Sequence, residues 1–217
     1  MRYLLFAVVW TIAACNAQNQ NAVTTLTQPT AIPKEGLSKA TFAGGCFWCT
    51  EAIFERTKGV EDVVSGYTGG YKENPKYEEV GSHTTGHAEA VEVYYDSTVI
   101  DYPTLVEIFF ATHDPTQLNR QGPDVGESYR SAAFYRNEAE RQIIQKRIDD
   151  LNQSGKYGQP IVTQVVPFKK FYLAEDYHQN YYEIHPENPY VQRVSGPKVE
   201  KFVKEYSALL KDKYKKG

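Results

Sequence analysis

The chain has 217 residues, of which 41% are hydrophobic, and its formal net charge is −3. A chain of this size and composition can bury one hydrophobic core, which predicts a single folded domain with a tail. The mild acidity gives no reason to expect nucleic-acid binding, and a monomer is the default expectation. The lysine-rich end at residues 211–216 is interpreted as a solvated helix end.

The N-terminus carries an apolar run, residues 3–14, directly after Arg2. A membrane-spanning helix takes about 20 residues, so this run is too short to span, but it fits the apolar region of a secretory signal. Residues 12–15 read Ile-Ala-Ala-Cys and resemble the lipobox of bacterial lipoproteins. The resemblance implies cleavage before Cys15 and a lipid on that cysteine, with an ordinary signal peptide as the alternative. We therefore predict a signal peptide over residues 1–14 and an exported protein anchored in the bacterial cell envelope, on its periplasmic side.

Residues 15–38 are rich in Asn, Gln, Thr and Ala, and they contain Pro29 and Pro33. Their few large apolar side chains cannot bury a core, so we predict a flexible tether that begins at Cys15. Residues 39–217 show no internal repeat and no second linker, and we predict that they form one domain.

Hydrophobic periodicity and turn residues predict the elements of this domain. Strands are expected at residues 39–43, 60–67, 87–95, 131–135 and 161–167. Helices are expected at residues 46–58, 102–113, 137–153, 175–182 and 198–213. The order contains a β-α-β-β-α-β run, the split arrangement of ferredoxin-like folds. We expect an α/β (α+β) fold with a ferredoxin-like βαββαβ core, in which helices cover a mixed or antiparallel sheet.

Two cysteines lie in the stretch GGCFWCTE, residues 44–51. The glycine pair allows a tight turn between strand and helix, which places Cys46 near a helix N-terminus, where the partial positive charge favours a thiolate. Cys49 follows one turn later on the same side, so a disulfide needs only a local adjustment of the first turn. Such a bridge closes a very small loop and stabilises little, which argues against a purely structural role.

The residues around these cysteines have both a structural and a functional interpretation. Glu89 shares a strand face with valines, so its pKa is expected to rise and let it act as an acid, unless it reaches solvent at the strand end. Phe47 and Trp48 either pack on the sheet or bind a small apolar group. Asp124 lies in a long loop and either forms a turn or belongs to a site. Glu51 is expected to be a solvated helix residue.

Several longer motifs follow along the domain. They are residues 66–70 (GYTGG), 74–80 (NPKYEEV), 86–91 (GHAEAV), 113–122 (HDPTQLNRQG), 129–132 (YRSA) and 174–179 (AEDYHQ). Together with GGCFWCTE they resemble the peptide methionine sulfoxide reductases of type A. The resemblance covers about residues 39–190, and it implies that residues 39–217 are a single catalytic domain.

The resemblance implies a mechanism in which Cys46 attacks the sulfoxide sulfur as a thiolate and Glu89 protonates the sulfoxide oxygen. Tyr77 and Tyr129 would hydrogen-bond that oxygen. Methionine would leave a sulfenic acid on Cys46, which Cys49 would convert to a Cys46–Cys49 disulfide. Many members of the family place this resolving cysteine near the C-terminus, but no cysteine follows Cys49 here.

The same resemblance implies that Phe47 and Trp48 hold the methyl group of the substrate and that Asp124 holds the substrate or a water molecule. The substrates would be the S epimer of methionine sulfoxide, free and in oxidised proteins or peptides. No bound cofactor and no metal is expected, and a thioredoxin-like dithiol protein would be the electron donor. The membrane is a further expected partner through the N-terminal lipid.

Three other interpretations stay open from the sequence. Cys-x-x-Cys alone is compatible with a thioredoxin-like oxidoreductase. Cys46 and Cys49 with His83 and His87 supply four candidate zinc ligands. A lipid-anchored binding protein without catalysis is the third. The remaining histidines, which are His113, His178 and His185, are interpreted as hydrogen-bonded or surface residues.

Overall fold

A computed structural model describes residues 36–215 of the chain. The predicted signal peptide, Cys15 and most of the predicted tether therefore lie outside the described residues. Between residues 36 and 215, no helix is both long enough and apolar enough to cross a membrane.

The described residues form a six-stranded sheet with helices packed on it, together with a separate two-stranded ribbon. The strands are β1 (Ser38–Gly44), β2 (Val60–Thr68), β3 (Ala88–Tyr95), β4 (Arg120–Gln121), β5 (Asp124–Val125), β6 (Ser131–Tyr135), β7 (Gln164–Pro167) and β8 (Phe171–Leu173). The α-helices are α1 (Phe47–Glu55), α2 (Tyr77–Gly81), α3 (Tyr102–Ala111), α4 (Glu138–Gln153), α5 (Tyr181–Ile184) and α6 (Gly196–Glu205).

The centre of the sheet has the strand order β6-β1-β3-β2, and each of these neighbours is antiparallel. With α1 between β1 and β2 and α3 between β3 and β6, this is the predicted ferredoxin-like arrangement. β7 adds to β6 in parallel through the α4 crossover, and β8 adds to β2 antiparallel, so the whole sheet is mixed. The predicted fold class is confirmed.

Aromatic stacking joins the helices to the sheet. The ring of Phe42 on β1 stacks on Phe54 of α1, with centroids 5.5 Å apart, and on Phe109 of α3, at 4.8 Å. All three side chains are fully buried. Burying rings of this size stabilises the fold by about 2 kcal/mol each, and it fixes α1 against the end of β1.

The C-terminal third differs from the prediction in three places. The strand β8 was not predicted, since three residues are too short to show alternation. The predicted helix over 175–182 is interrupted at Asn180, whose φ of 54° separates two short helical turns. The predicted helix over 198–213 instead follows a π-helical turn, Val191–Ser195, and α6 ends at Glu205. The chain leaves that helix because Leu210 is fully buried and pairs with Thr57.

Candidate active site

A strand, a tight turn and a helix place Cys46. β1 ends at Gly44, and Gly45 has a φ of 92°, in the left-handed region that favours glycine. A Cβ atom at Gly45 would lie 2.6 Å from the side chain of Gln121, so the turn has no room for one. Cys46 is the N-cap residue of α1. Its sulfur therefore lies at the positive end of a helix, as predicted.

Glu89 lies where the end of β1 meets β3. Phe42 on β1 pairs with Val91 on β3, and Glu89 lies two residues beyond Val91, level with the end of β1. Its Oε2 accepts a hydrogen bond of 3.1 Å from the backbone N–H of Phe47, the first residue of α1. The carboxyl group is thus anchored at the same helix end that carries Cys46.

Burial controls the protonation of Glu89. The residue is only 3% exposed, and burial raises the pKa of its carboxyl group to about 8, although the hydrogen bond from Phe47 opposes that rise. The carboxyl group is therefore protonated near neutral pH. The predicted rise in pKa is confirmed, and the alternative of a strand-end glutamate in solvent is wrong.

A cavity of about 280 Å³ opens over Cys46. Its lining residues are Cys46, Phe47, Trp48, Tyr77, Glu89, Asp124, Tyr129, Asn188 and Tyr190. It brings together every residue that the sequence analysis assigned to chemistry or substrate binding, except Cys49. A larger groove of about 990 Å³ runs along α6 and shares no lining residue with this cavity, so size alone does not identify the site.

The predicted thiolate at Cys46 is wrong for the free site. The side chain is 5% exposed, and burial, together with the neighbouring Cys49 and Glu89, raises the pKa of its thiol well above the usual value. A hydrogen bond with Tyr190 acts in the opposite direction. Desolvation of the sulfur thus outweighs this hydrogen bond and favours the thiol form of Cys46 in the free site.

One wall of the cavity is aromatic. Phe47 is fully buried, with its ring centroid 6.0 Å from that of Tyr67, so it packs in the core and also lines the cavity. The indole of Trp48 stacks on Tyr181, with centroids 3.7 Å apart, and its N–H donates to Nδ1 of His178 at 3.2 Å. Contacts on two sides therefore fix the orientation of Trp48.

The other wall carries hydroxyl groups. Burial raises the pKa of Tyr77 to about 12 and also raises that of Tyr129, and the charge of Glu89 adds to both shifts. Both phenols therefore keep their protons and remain hydrogen-bond donors at neutral pH. Asp124 faces them, and its Oδ2 accepts a hydrogen bond of 2.5 Å from the hydroxyl of Tyr190.

Comparison with known proteins identifies the family. A model of the family described as "Peptide methionine sulfoxide reductase" matches residues 38–210. The chain belongs to the peptide methionine sulfoxide reductases of type A. It is therefore an enzyme, and the interpretations as a thioredoxin-like oxidoreductase or a non-catalytic binding protein are wrong.

Individual relatives agree with this assignment. The chain is 51% identical to peptide methionine sulfoxide reductase MsrA of Saccharolobus solfataricus over 81% of its own length and 96% of the relative's. It is 49% identical to MsrA of Chromobacterium violaceum, over 81% of this chain and all of that one. Among solved structures, methionine sulfoxide reductase A of Corynebacterium diphtheriae aligns with a TM-score of 0.66 at 33% identity, covering 74% of this chain and 83% of that one.

The second cysteine of this reductase lies beside the first but outside the cavity. Cys49 is on the first turn of α1, buried and free, and its thiol is in hydrogen-bond contact with that of Cys46. This contact lowers the pKa of Cys49 to about 7; burial opposes the shift, while Lys198 and the hydroxyl of Ser195 support it. The neighbouring thiol, Lys198 and Ser195 therefore all favour an ionised Cys49.

Two residues that line the reductase cavity were not predicted from the sequence. Asn188 and Tyr190 lie before α6, and the side-chain oxygen of Asn188 accepts a hydrogen bond of 2.8 Å from the backbone N–H of Tyr190. That contact directs Tyr190 towards Asp124 and Cys46. The stretch Asn188-Pro189-Tyr190 has no periodicity, and its turn residues were the one signal that could have drawn attention to it.

The expectation for Glu51 is wrong. It is 1% exposed on the face of α1 turned towards the sheet, and burial together with the nearby Glu55 raises its pKa well above the usual value. One oxygen accepts a hydrogen bond from the backbone N–H of Asn180, and the other, Oε1, has no hydrogen-bond partner among residues 36–215. Glu51 is one of two glutamates in α1, and the local sequence pattern carried no signal of its burial.

The histidines proposed as zinc ligands are engaged elsewhere. His87 is buried, with Nδ1 accepting from the backbone N–H of Gly70 at 3.1 Å and Nε2 lying 2.8 Å from the carbonyl of Lys72. Nδ1 of His83 lies 3.0 Å from the hydroxyl of Ser128. Over residues 36–215 no three or more His, Cys, Asp or Glu side chains are arranged to hold a metal ion.

Proposed function

We propose that this enzyme reduces the S epimer of methionine sulfoxide, free and in proteins, with Cys46 as the nucleophile and Glu89 as the proton donor. The observation that carries the proposal is the hydrogen bond from Phe47 to Glu89, because it holds a protonated carboxyl group at the same helix end as Cys46. Sulfoxide reduction needs a soft nucleophile and an acid for the departing oxygen, and this cavity contains both.

The free thiol at Cys46 is compatible with this role if the substrate itself shifts the proton. The sulfur of a sulfoxide carries partial positive charge and its oxygen partial negative charge. A sulfoxide with its oxygen at Glu89 would present its sulfur to Cys46, and the positive charge there would lower the pKa of the thiol. The entering substrate would also replace water near the reacting atoms.

Selection of one epimer would follow from three fixed contacts. The aromatic wall of Phe47 and Trp48 would take the methyl group, and the hydroxyl groups of Tyr77 and Tyr129 would take the oxygen, with Glu89. Attack by Cys46 then fixes the side from which the sulfur is approached. A chiral sulfur can meet all three requirements in only one configuration.

The chemical balance closes with a single dithiol donor. Methionine sulfoxide and the Cys46 thiol give methionine and a sulfenic acid on Cys46, so one oxygen atom moves from sulfur to sulfur. The Cys49 thiol then displaces that oxygen as water and forms the Cys46–Cys49 disulfide. A thioredoxin-like dithiol reduces the disulfide and becomes a disulfide itself.

A turnover assay with resolved R and S methionine sulfoxide tests this proposal, with the thiol count followed by mass. We expect turnover of the S epimer alone, and no turnover in Cys46→Ser. Cys49→Ser should complete one reduction and then stall with thioredoxin, while a small thiol can restore turnover. Full activity of Cys46→Ser, or equal use of both epimers, would refute the proposal.

We further propose that the mature protein is a lipid-anchored envelope protein, on the sequence of residues 3–15. An exported enzyme of this kind would need reducing equivalents delivered across the membrane by a dithiol shuttle. Mass analysis of protein from the membrane fraction should find a lipid-modified N-terminal cysteine at Cys15, and Cys15→Ala should release the protein from the membrane. An unmodified Cys15 in membrane-bound protein would contradict the anchor.

A further inference from the structure

The C-terminal part of the domain contacts the second cysteine through one buried side chain. The thiol of Cys49 donates a hydrogen bond of 3.0 Å to the hydroxyl oxygen of Ser195, and 146 residues separate the two in sequence. Ser195 is fully inaccessible to solvent and Cys49 is 3% exposed, so water cannot take the place of this hydroxyl group. The buried hydroxyl group of Ser195 is therefore a fixed partner that the fold places beside the sulfur of Cys49.

A local irregularity of the backbone supports this contact. Ser195 is the last residue of the π-helical turn Val191–Ser195, which runs directly into α6. π-helical turns insert an extra residue into a helix and are common at functional sites. This turn lies between Tyr190, whose hydroxyl reaches the Cys46 side, and Ser195, which reaches the Cys49 side. Lys198 follows in the first turn of α6, and its charge also acts on Cys49.

We propose that Ser195 is a positioning residue that, together with the charge of Lys198, stabilises the thiolate of Cys49 during the resolving step. The inference rests on the proposed function, in which Cys49 attacks the sulfenic acid on Cys46. In that step the Cys49 thiolate forms a bond to the Cys46 sulfur, the S–O bond breaks, and the departing hydroxide takes up a proton and leaves as water.

Ser195 is needed in the resolving step because Cys46 no longer carries its thiol proton when Cys49 attacks. In the free site the main stabilisation of the Cys49 thiolate is the hydrogen bond from the Cys46 thiol. Oxidation removes that S–H, and displacement at sulfur places the departing oxygen on the far side of Cys46 from the attacking thiolate. Neither group on Cys46 can then donate to Cys49. Ser195 and Lys198 remain in place, because their contacts do not depend on the oxidation state of Cys46.

The same contact serves the regeneration step. When an external dithiol attacks the Cys46 sulfur of the disulfide, Cys49 leaves as a thiolate, and a thiol of lower pKa leaves faster. Once Cys49 has lost its proton, the hydroxyl group of Ser195 can rotate and donate to the sulfur, which favours the thiolate both as attacking and as leaving group. The alternative is a purely structural role, in which the Ser195 hydroxyl forms this contact only because it is buried. The ionisation of Cys49 would then not depend on Ser195.

The first experiment measures the ionisation of Cys49 alone. Thiolate formation is followed against pH in Cys46→Ala protein, which lacks the thiol partner, with and without Ser195→Ala. We expect Ser195→Ala to raise the midpoint by about 1 pH unit, since a hydrogen bond to a charged group is lost. Ser195→Thr keeps a hydroxyl group and should restore the midpoint. An unchanged midpoint in Ser195→Ala would overturn the proposal.

A matched control is Ser131→Ala in the same background. Ser131 is also buried, and its hydroxyl bonds to His113 at 2.7 Å and Thr163 at 2.7 Å rather than to sulfur. It should leave the midpoint unchanged, so an equal shift there would assign the effect to loosened packing and overturn the proposal. If Ser195→Ala does not fold, the same measurement is made on Lys198→Gln. We expect the midpoint of Cys49 ionisation to rise in that variant, and a midpoint that does not rise would overturn the proposal.

The second experiment follows a single turnover in the chain with both cysteines. Ser195→Ala should form methionine at the unchanged rate while the sulfenic acid accumulates, and raising the pH should restore disulfide formation. A purely structural defect would slow both steps at every pH. The two proposals fail separately: a native chain that does not reduce methionine S-sulfoxide refutes the proposed function, whereas a working enzyme with unchanged Cys49 ionisation refutes the role of Ser195.

Discussion

Strand β3 carries two buried glutamates whose surroundings differ. Glu92, at 6% exposure, contacts Lys39 at 3.1 Å and Arg136 at 2.8 Å, and it accepts a hydrogen bond of 2.7 Å from Tyr94. Among residues 36–215, Glu89, three residues earlier, has a single backbone N–H as its hydrogen-bond partner. Lys39 and Arg136 compensate the buried charge of Glu92, whereas no cation within the described part of the chain pairs with Glu89. The same residue type is therefore a structural anion at Glu92 and a protonated acid at Glu89.

A third buried glutamate shows that protonation alone does not make a site. Glu51 also has a raised pKa, but it lies on the sheet side of α1 and does not line the cavity. Glu89 combines the absence of a cation with access to the space over Cys46. Access to the cavity, more than burial, therefore separates a general acid from a core glutamate.

The largest expected effect is the loss of activity when Glu89 can no longer donate a proton. Glu89→Gln keeps the shape and the hydrogen bond to Phe47 but removes the acidic proton. We expect kcat for methionine S-sulfoxide to fall by about 10²–10⁴-fold, the usual contribution of a general acid. Glu92→Gln is the matched control and should change kcat by less than about twofold. Equal losses in the two variants would break the distinction between them.

The next effect concerns stability against pH. Between the unfolded pKa of about 4.3 and the folded pKa of about 8, the folded state binds the Glu89 proton and the unfolded state does not. Stability from this group is therefore fully present below the unfolded pKa and is lost as pH rises through the folded pKa. Denaturant unfolding should find the native chain losing several kcal/mol relative to Glu89→Gln across this window. A constant difference would mean that Glu89 is not protonated in the fold.

A smaller effect is the loss of stability when Glu92 no longer pairs with its cations. Glu92→Gln removes the anion that compensates Arg136, whose guanidinium is largely buried. We expect a loss of about 2 kcal/mol in the free energy of unfolding, reduced from fully buried pairs because both cations are partly exposed. Glu89→Gln at neutral pH should show no such loss. A neutral result for Glu92→Gln would show that its ion pairs contribute nothing net.

The smallest expected effect is the loss of one hydroxyl group from the cavity wall. Tyr77→Phe removes one donor to the expected position of the sulfoxide oxygen, which should lower kcat by about 3- to 10-fold. Tyr71→Phe is a matched control, because Tyr71 is 78% exposed and its hydroxyl donates to the carbonyl of Thr84. If Tyr77→Phe behaves like Tyr71→Phe, the hydroxyl of Tyr77 has no part in the reaction.

Much of this arrangement could be predicted from the sequence, for identifiable reasons. The helix start at Cys46 followed from a glycine pair, and the raised pKa of Glu89 followed from valines on its strand face. The burial of Glu51 could not be predicted, because it depends on the sheet beneath α1. The approach of Tyr190 and Ser195 also escaped prediction, since it depends on a π-helical turn and on tertiary contacts that no local pattern encodes. The thiol state of Cys46 depends on desolvation, which opposes the local helix effect.

The central claim is that Glu89 holds a proton beside Cys46 at neutral pH. Infrared difference spectra between the native chain and Glu89→Gln isolate the C=O stretch of this one carboxylic acid. We predict a band that is present at neutral pH and disappears with a midpoint of about 8. A band that is absent at neutral pH, or lost near the ordinary glutamate pKa of about 4.3, would contradict the account.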